Sequence, residues 1–465
     1  MNNQANPKTP KTRKPLWRRI LKWTFRVVVV LVVLVVLAWA IWSYTAAREL
    51  GNEIDRIRAA GQPLTFAQLE ASWKTVEYAD DAGPLYAAAI DLFNWHDEAD
   101  RAFKTGNQFI YEFPRAILAG KDVPPEMVAQ VRKSLEENRL ALEMLDRGAA
   151  KSGCDYQFGV EYGISAMMRP LGVSRGLAKR NAMRTALLAF DGKKDQAVDS
   201  LIAGLRLTRM FDREPIIILH LVKIAILSLA VADVQVVLHG ERPAAAALAR
   251  LQTAIEQAEQ GIDLKRVYIA EQVYTLDVSR NLLSGLRELE PGPTGALMGE
   301  QFAGLLVLAS PGMRTMAARE LRLYGQVITA ADNDWPKAID KIRAIFAHYR
   351  PSICERLMDF SASPMERSTV LTCRVEAGLR AARLAVMIER YRLKTGHLPE
   401  SLAELQGAIG VQLPADPFTG KEMIYRKTAD GYMVFSLGED KKENPDQPLN
   451  EGGDSDCGVR VRLPG

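Results

Sequence analysis

The pattern of apolar and polar positions divides the chain into one span-like stretch, a long helical middle and a short strand-forming end. Val27 to Trp42 is uninterrupted apolar sequence. Taken from about Thr24 to Thr45, it makes a helix of roughly 33 Å at 1.5 Å per residue, enough to cross a bilayer core. Trp39, Trp42 and Tyr44 stand where an outer aromatic belt is expected, and Trp23, Phe25 and Arg26 flank the other end. Helical spacing continues from Arg48 to about Arg58 and stops at Gly61 and Pro63. Thr65, with Gln68 three residues on, then predicts a capped short helix.

Most of the following sequence keeps helical spacing. Pro124-Pro125 opens a helix running to about Ala150, Ile164 to Phe190 is a second and Gln196 to Phe211 a third. A fourth follows Pro215, and a fifth ends near Gly261. Ile216 to Leu238 is apolar enough to rival the first span, yet it holds His220, Lys223, Asp233 and Gln235. Charges at the centre of a span cost about 2.5–3.5 kcal/mol each, so this stretch reads as a buried helix and the topology stays single-pass. Pro291-Gly292-Pro293 marks a break, and further helices run to about His348. A last helix, about Met365 to Lys394, carries Leu371, Val375, Leu379, Ala382 and Val386 on one stripe. Leu384, Ile388 and Tyr391 form a second, which predicts burial on most sides. Alternating runs follow at Met423–Arg426, Tyr432–Ser436 and Val459–Leu463, the first two joined near Asp430-Gly431 as in a hairpin.

The expected fold class is therefore mainly α. An N-terminal transmembrane helix precedes an irregular α-hairpin bundle, solenoid-like in character, and a small C-terminal α+β module. The boundaries read as a basic cytoplasmic tail at 1–23, a signal anchor at 24–45, a helical ectodomain at 46–350 and the α+β module at 365–465.

Charge adds direction. The chain holds 60 basic and 56 acidic residues, a net charge of +4. Eight of the basic ones (Lys8, Lys11, Arg13, Lys14, Arg18, Arg19, Lys22 and Arg26) lie in the first 26 residues, which contain no acid. The remainder carries 52 against 56, so the basic balance belongs to a tail and argues against a nucleic-acid partner. The positive-inside rule then puts residues 1–23 in the cytoplasm and the bulk beyond a bacterial inner membrane, with anionic lipid headgroups around the tail. Ala38-Trp39-Ala40 has the small-residue spacing of a signal-peptide cleavage site, but the bulky neighbours and long basic region favour an uncleaved anchor. Cys154, Cys354, Cys373 and Cys457 all follow the span without a Cys-x-x-Cys pair. In an oxidising compartment Cys354–Cys373 is the expected bridge, with Cys154 and Cys457 paired or left as thiols.

Catalytic motifs are sparse. Gly172-Val173-Ser174-Arg175-Gly176 matches a nucleophile elbow, but Met167–Leu171 is not a strand, and the motif reads as a break in a helix. Lys394-Thr395-Gly396 has no Ser-x-x-Lys to accompany it. His96, His220, His239, His348 and His397 show no zinc spacing, and no Gly-rich phosphate loop is present.

The C-terminal segment resembles the globular domain of the major pseudopilins of type II secretion. The residues that carry the likeness are Ile388–Tyr391, Gly396–Pro399, Leu402, Leu405, Leu413–Phe418, Tyr425, Phe435–Gly438 with Asp440, and Gly452–Asp456. The resemblance implies a long helix packed on a small antiparallel sheet, and a structural calcium ion in the loop after the sheet. Asp440, Asp454 and Asp456 fall on the acidic positions of that motif. Arg and Lys stand where pseudopilins carry their cleavage motif, and residues 46–364 separate the span from this segment, which argues against polymerisation. As a whole the chain resembles uncharacterised single-pass membrane proteins of planctomycete type, through Gly61-Gln62-Pro63-Leu64-Thr65 and the same ending. The expected function is a non-enzymatic, membrane-anchored extracytoplasmic interaction or scaffold protein with an unknown protein partner. The alternatives are an envelope hydrolase, using Ser174 or carboxylates that sequence does not place, and a secretion accessory engaging pseudopilins through residues 365–465.

Overall fold

Valine- and leucine-rich sequence with no proline carries α1 (Leu16–Ala59) through 44 residues, past a single glycine at Gly51. The computed structural model describes residues 16–72, 76–104, 112–162, 164–285, 300–331, 334–350, 363–444, 449–450 and 456–463. They fall into two compact units. One joins the N-terminal segment up to Arg56 with Ser279–Glu320; the other takes Ile57–Val278 and Leu321–Gly465.

In the first unit, every large apolar side chain from Val27 to Leu37 is exposed. Thr24 and Thr45 turn their hydroxyls back onto the carbonyls of Leu21 and Trp42, at 3.0 and 2.9 Å, so neither presents an unsatisfied donor to an apolar medium. Arg314 donates to the Ser43 hydroxyl at 3.3 Å.

The second unit begins with α2 (Phe66–Ala71), α3 (Gly83–Leu92), α4 (Glu98–Lys104), α5 (Phe113–Leu118), α6 (Pro125–Glu137) and α7 (Arg139–Ala149). Longer helices follow: α8 (Ile164–Phe190), α9 (Lys194–Leu207), α10 (Ile217–Leu238), α11 (Ala245–Gln260) and α12 (Leu264–Gly285). Then come α13 (Glu300–Ala330), which lies in the first unit as far as Glu320, α14 (Trp335–His348), α15 (Ser363–Thr395) and α16 (Leu402–Ile409). Strands β1 (Ile424–Thr428), β2 (Gly431–Ser436) and β3 (Cys457–Arg462) close the chain as an antiparallel sheet in the order β1-β2-β3. The mainly helical class and the small C-terminal sheet agree with the sequence expectation.

The Thr65 cap forms as expected. Its hydroxyl accepts the Gln68 N–H at 3.2 Å, while the Gln68 side chain reaches back to the Leu64 N–H at 2.8 Å. The helix expected over 124–150 is two helices, because Asn138 leaves helical geometry between α6 and α7. Its side-chain oxygen accepts the Asn94 N–H at 2.9 Å and its amide donates to the buried Asp97 at 2.8 Å. The break expected at Gly172–Gly176 does not occur. α8 runs straight through, and the glycines clear space for aromatic rings: a Cβ on Gly176 would sit 2.8 Å from the Phe93 ring.

α15 is buried on opposite sides by helices and by the sheet. Leu379, Ala382, Val386 and Ile388 share one core with Val231 and Val234 of α10, Leu248 and Leu251 of α11, and Tyr432, Val434 and Val459 of the sheet. Tyr432 pins the contact, donating within reach of the Ala385 carbonyl at 3.1 Å and Glu389 at 3.0 Å. The C-terminal helix and sheet are thus one body with the helical hairpins. Within β3, Gly458 lies so close to β2 that an added Cβ would meet the Val434 carbonyl oxygen at 2.3 Å. Gly458→Ala is expected to prise the two strands apart and cost about 1–3 kcal/mol, read as a lowered thermal midpoint.

Candidate functional site

The rim of this core carries charge that the helices bury incompletely. Glu376 stands on α15 between Val375 and Ala377, and Glu259 lies one residue before the end of α11. With Asp263, Lys265, Trp335 and Arg380 they line a cavity of about 540 Å³. Arg380 binds Glu376 Oε1 through Nε at 3.0 Å and through its terminal nitrogen at 2.8 Å, and donates to the Ala415 carbonyl at 2.7 Å. That leaves Glu376 Oε2 buried and without a hydrogen-bond partner, and Glu259 Oε1 is in the same condition. The Arg383 guanidinium lies 3.2 Å from Glu259 Oε1, at an angle that makes an ion pair rather than a hydrogen bond.

Electrostatics follow from that geometry. Burial pushes the Glu259 carboxyl up to about 8; nearby Arg383 pulls it down and the like charge of Glu376 adds to the rise. Burial also raises Glu376, against the opposing pull of Arg380 and Arg383. At neutral pH Glu259 is therefore an O–H donor, and the Glu376 Oε2 in the same cavity is an open hydrogen-bonding position. Such a pair can hydrogen-bond a hydroxyl or an amine, and can give and take a proton.

Sequence reasoning missed this pair because its members come from α11 and α15, more than a hundred residues apart. The available signal was Glu376 itself, an acid between the two apolar stripes of the last helix, one turn from Arg380.

The acidic loop is partly assembled. Asp440 accepts the Lys442 N–H at 3.0 Å and the Asn444 amide at 3.2 Å, and Asp456 accepts the Asn444 N–H at 3.2 Å. Asn444 therefore bridges the two aspartates. Hydrogen bonding from the Lys442 N–H holds Asp440 below the usual carboxylate range. Burial raises Asp456, the charges of Glu443 and Asp440 add to it, and its Oδ1 is buried without a partner. Asp454 lies outside the described residues. Among those described, no group of three or more His, Cys, Asp or Glu side chains is gathered for a metal.

No family model, curated protein or solved structure matches the chain.

Ser174 sits mid-helix in α8, fully buried, and its hydroxyl donates to the Leu171 carbonyl at 2.9 Å. A nucleophile needs access to substrate, and this one has none. His220 is buried against the Thr372 hydroxyl at 2.8 Å; burial, then the charge of Lys223, lowers it to about 3 and keeps it neutral. His96 is exposed, 3.5 Å from Asp100 on the next turn.

Proposed function

We propose that the chain is a membrane-anchored interaction protein, held in a bacterial inner membrane by α1 with its helical body on the extracytoplasmic side. The observation that carries this reading is the contrast between the two apolar helices. The apolar window of α1 is 0% buried, whereas that of α10 is 61% buried in the protein core. Apolar surface left in water costs roughly 25 cal/mol per Å², and a bilayer is the medium that relieves it over a helix of this length. The basic residues before the span set the orientation. The partner is a protein, for which the Glu259–Glu376 cavity offers a protonated Glu259 carboxyl and the unpartnered Glu376 Oε2, suited to a hydroxylated or amine-bearing side chain.

Protease added to intact spheroplasts tests the arrangement. The body beyond residue 46 is expected to be digested while an epitope placed at residue 1 survives on a membrane-bound fragment. Loss of the epitope with an intact body would reverse the orientation. A mature chain that begins beyond Ala40 would replace the anchor by a cleaved signal. Removing residues 1–45 is expected to move the protein from the membrane pellet to the supernatant.

Calcium belongs to the same reading, with Asp440, Asp454 and Asp456 as its ligands. The support is the shared Asn444 bridge and the unpartnered Asp456 Oδ1. A chelator is expected to lower the melting temperature of the whole protein by a few degrees and added calcium to restore it. An unchanged midpoint, with no metal in the purified chain, removes the ion from the account.

A further inference from the structure

We propose that Cys373 and Cys457 form a disulfide that ties α15 to the start of β3. In this structure both are thiols with buried side chains, and both belong to one small cluster with Ile339, Ala377 and Phe418. More than eighty residues of chain separate them, so their meeting is a product of the tertiary fold. Cys457 is fixed by its position opposite Ser436 in the β2–β3 register, and Cys373 by a rigid helix that the sheet covers. The bridge expected from spacing, Cys354–Cys373, would compete for the same sulfur; Cys354 lies outside the described residues. Cys154 is half-buried and lines a different cavity, with no other cysteine among that cavity's lining residues.

The inference rests on the extracytoplasmic placement proposed above, because thiols stay reduced in the cytosol. The oxidant is a dithiol–disulfide carrier. One cysteine thiolate attacks the carrier's disulfide, forming a mixed disulfide and releasing one carrier sulfur. The second cysteine attacks the mixed disulfide, the Cys373–Cys457 sulfur–sulfur bond forms, and the carrier departs as a dithiol with both electrons and both protons. Burial raises both thiols once the fold is complete, Cys457 to about 11 and Cys373 well above its ordinary value, so native protein offers little thiolate. Oxidation therefore takes place while the chain folds and is slow afterwards.

Peptide mapping of the full chain tests this directly. Protein solubilised from membranes is alkylated without reductant and digested with trypsin. The expected product joins residues 368–374 to residues 443–460, and it persists in a Cys154→Ser/Cys354→Ser variant. A parallel sample is unfolded, reduced, and refolded in detergent with glutathione disulfide. The link forming only in that sample keeps the pairing and overturns the extracytoplasmic placement. A link from residues 344–356 to residues 368–374, or no link in either sample, overturns the pairing.

Discussion

Arg180→Met is expected to destabilise the fold by about 3–5 kcal/mol, measured as the loss of unfolding free energy in denaturant titrations of the detergent-solubilised chain. Asp97 is fully buried and meets Arg180 through two hydrogen bonds of 2.6 Å. The same carboxylate takes the Ser134 hydroxyl at 2.7 Å and the Asn138 amide at 2.8 Å, and caps α4 through the Asp100 N–H at 2.9 Å. Every lone pair is used, and one cation balances the charge. Without the guanidinium the carboxylate stays in low dielectric with only neutral donors. The Arg180 head also lies over the Phe93 ring, 5.5 Å from its centroid, so methionine loses a cation–π contact as well. An Asp97→Asn/Arg180→Met double variant should lose less than the two single losses combined, since no unpaired charge remains. Strict additivity would mean that the ion pair is not the source of the effect.

Raising the pH from about 6.5 to about 8 is expected to weaken the fold by on the order of 3–5 kcal/mol. Burial lifts Asp233 to about 8, Glu259 to about 8 and Glu271 to about 7. In the unfolded chain each ionises near its ordinary value of about 4. Over this window the unfolded state therefore binds fewer protons than the folded one, and stability falls as pH rises until the folded carboxyls have ionised. Below about 6.5, His220 acts in the opposite sense: it remains neutral when folded but takes a proton when unfolded. Acidification past that point brings a smaller gain. The carboxylates held below their usual range, among them Glu98, Asp430 and Asp440, lie near the surface and bear on stability only at still lower pH. Thermal midpoints across pH 5–8 measure the profile, and Asp233→Asn should flatten it. A flat profile in the unaltered protein would show that these carboxyls are solvated.

Sequence periodicity reveals helices and strands wherever the decisive neighbours are close along the chain. The N-terminal apolar helix, the buried α10 with its His220, Lys223 and Asp233, the widely apolar α15 and the Asp430-Gly431 hairpin all belong to this class. What it misses is settled by distant partners. Asn138 ends a helix because Asp97, some forty residues earlier, draws its side chain away. Gly172 and Gly176 look like a turn, yet they are small because Trp95 and Phe93 need the room. The cavity carboxylates meet only after α11 and α15 have packed. Charged residues within apolar stripes were visible in the sequence, but not which cavity each would face.

The last strand also constrains the order in which the protein can be made. β3 follows most of the helices in the chain, yet the Arg460 N–H donates to Gln235 at 3.1 Å, and the Arg462 carbonyl receives the Gly240 N–H at 3.1 Å. Helices synthesised some two hundred residues earlier thus await β3 before one edge of their core is covered. Such long-range closure is slow and leaves apolar surface bare in the interim. A chain threaded through a translocon, as proposed for this one, would have to bring β3 through the pore before its body could close. Truncation before β3 would therefore yield a sticky, open intermediate.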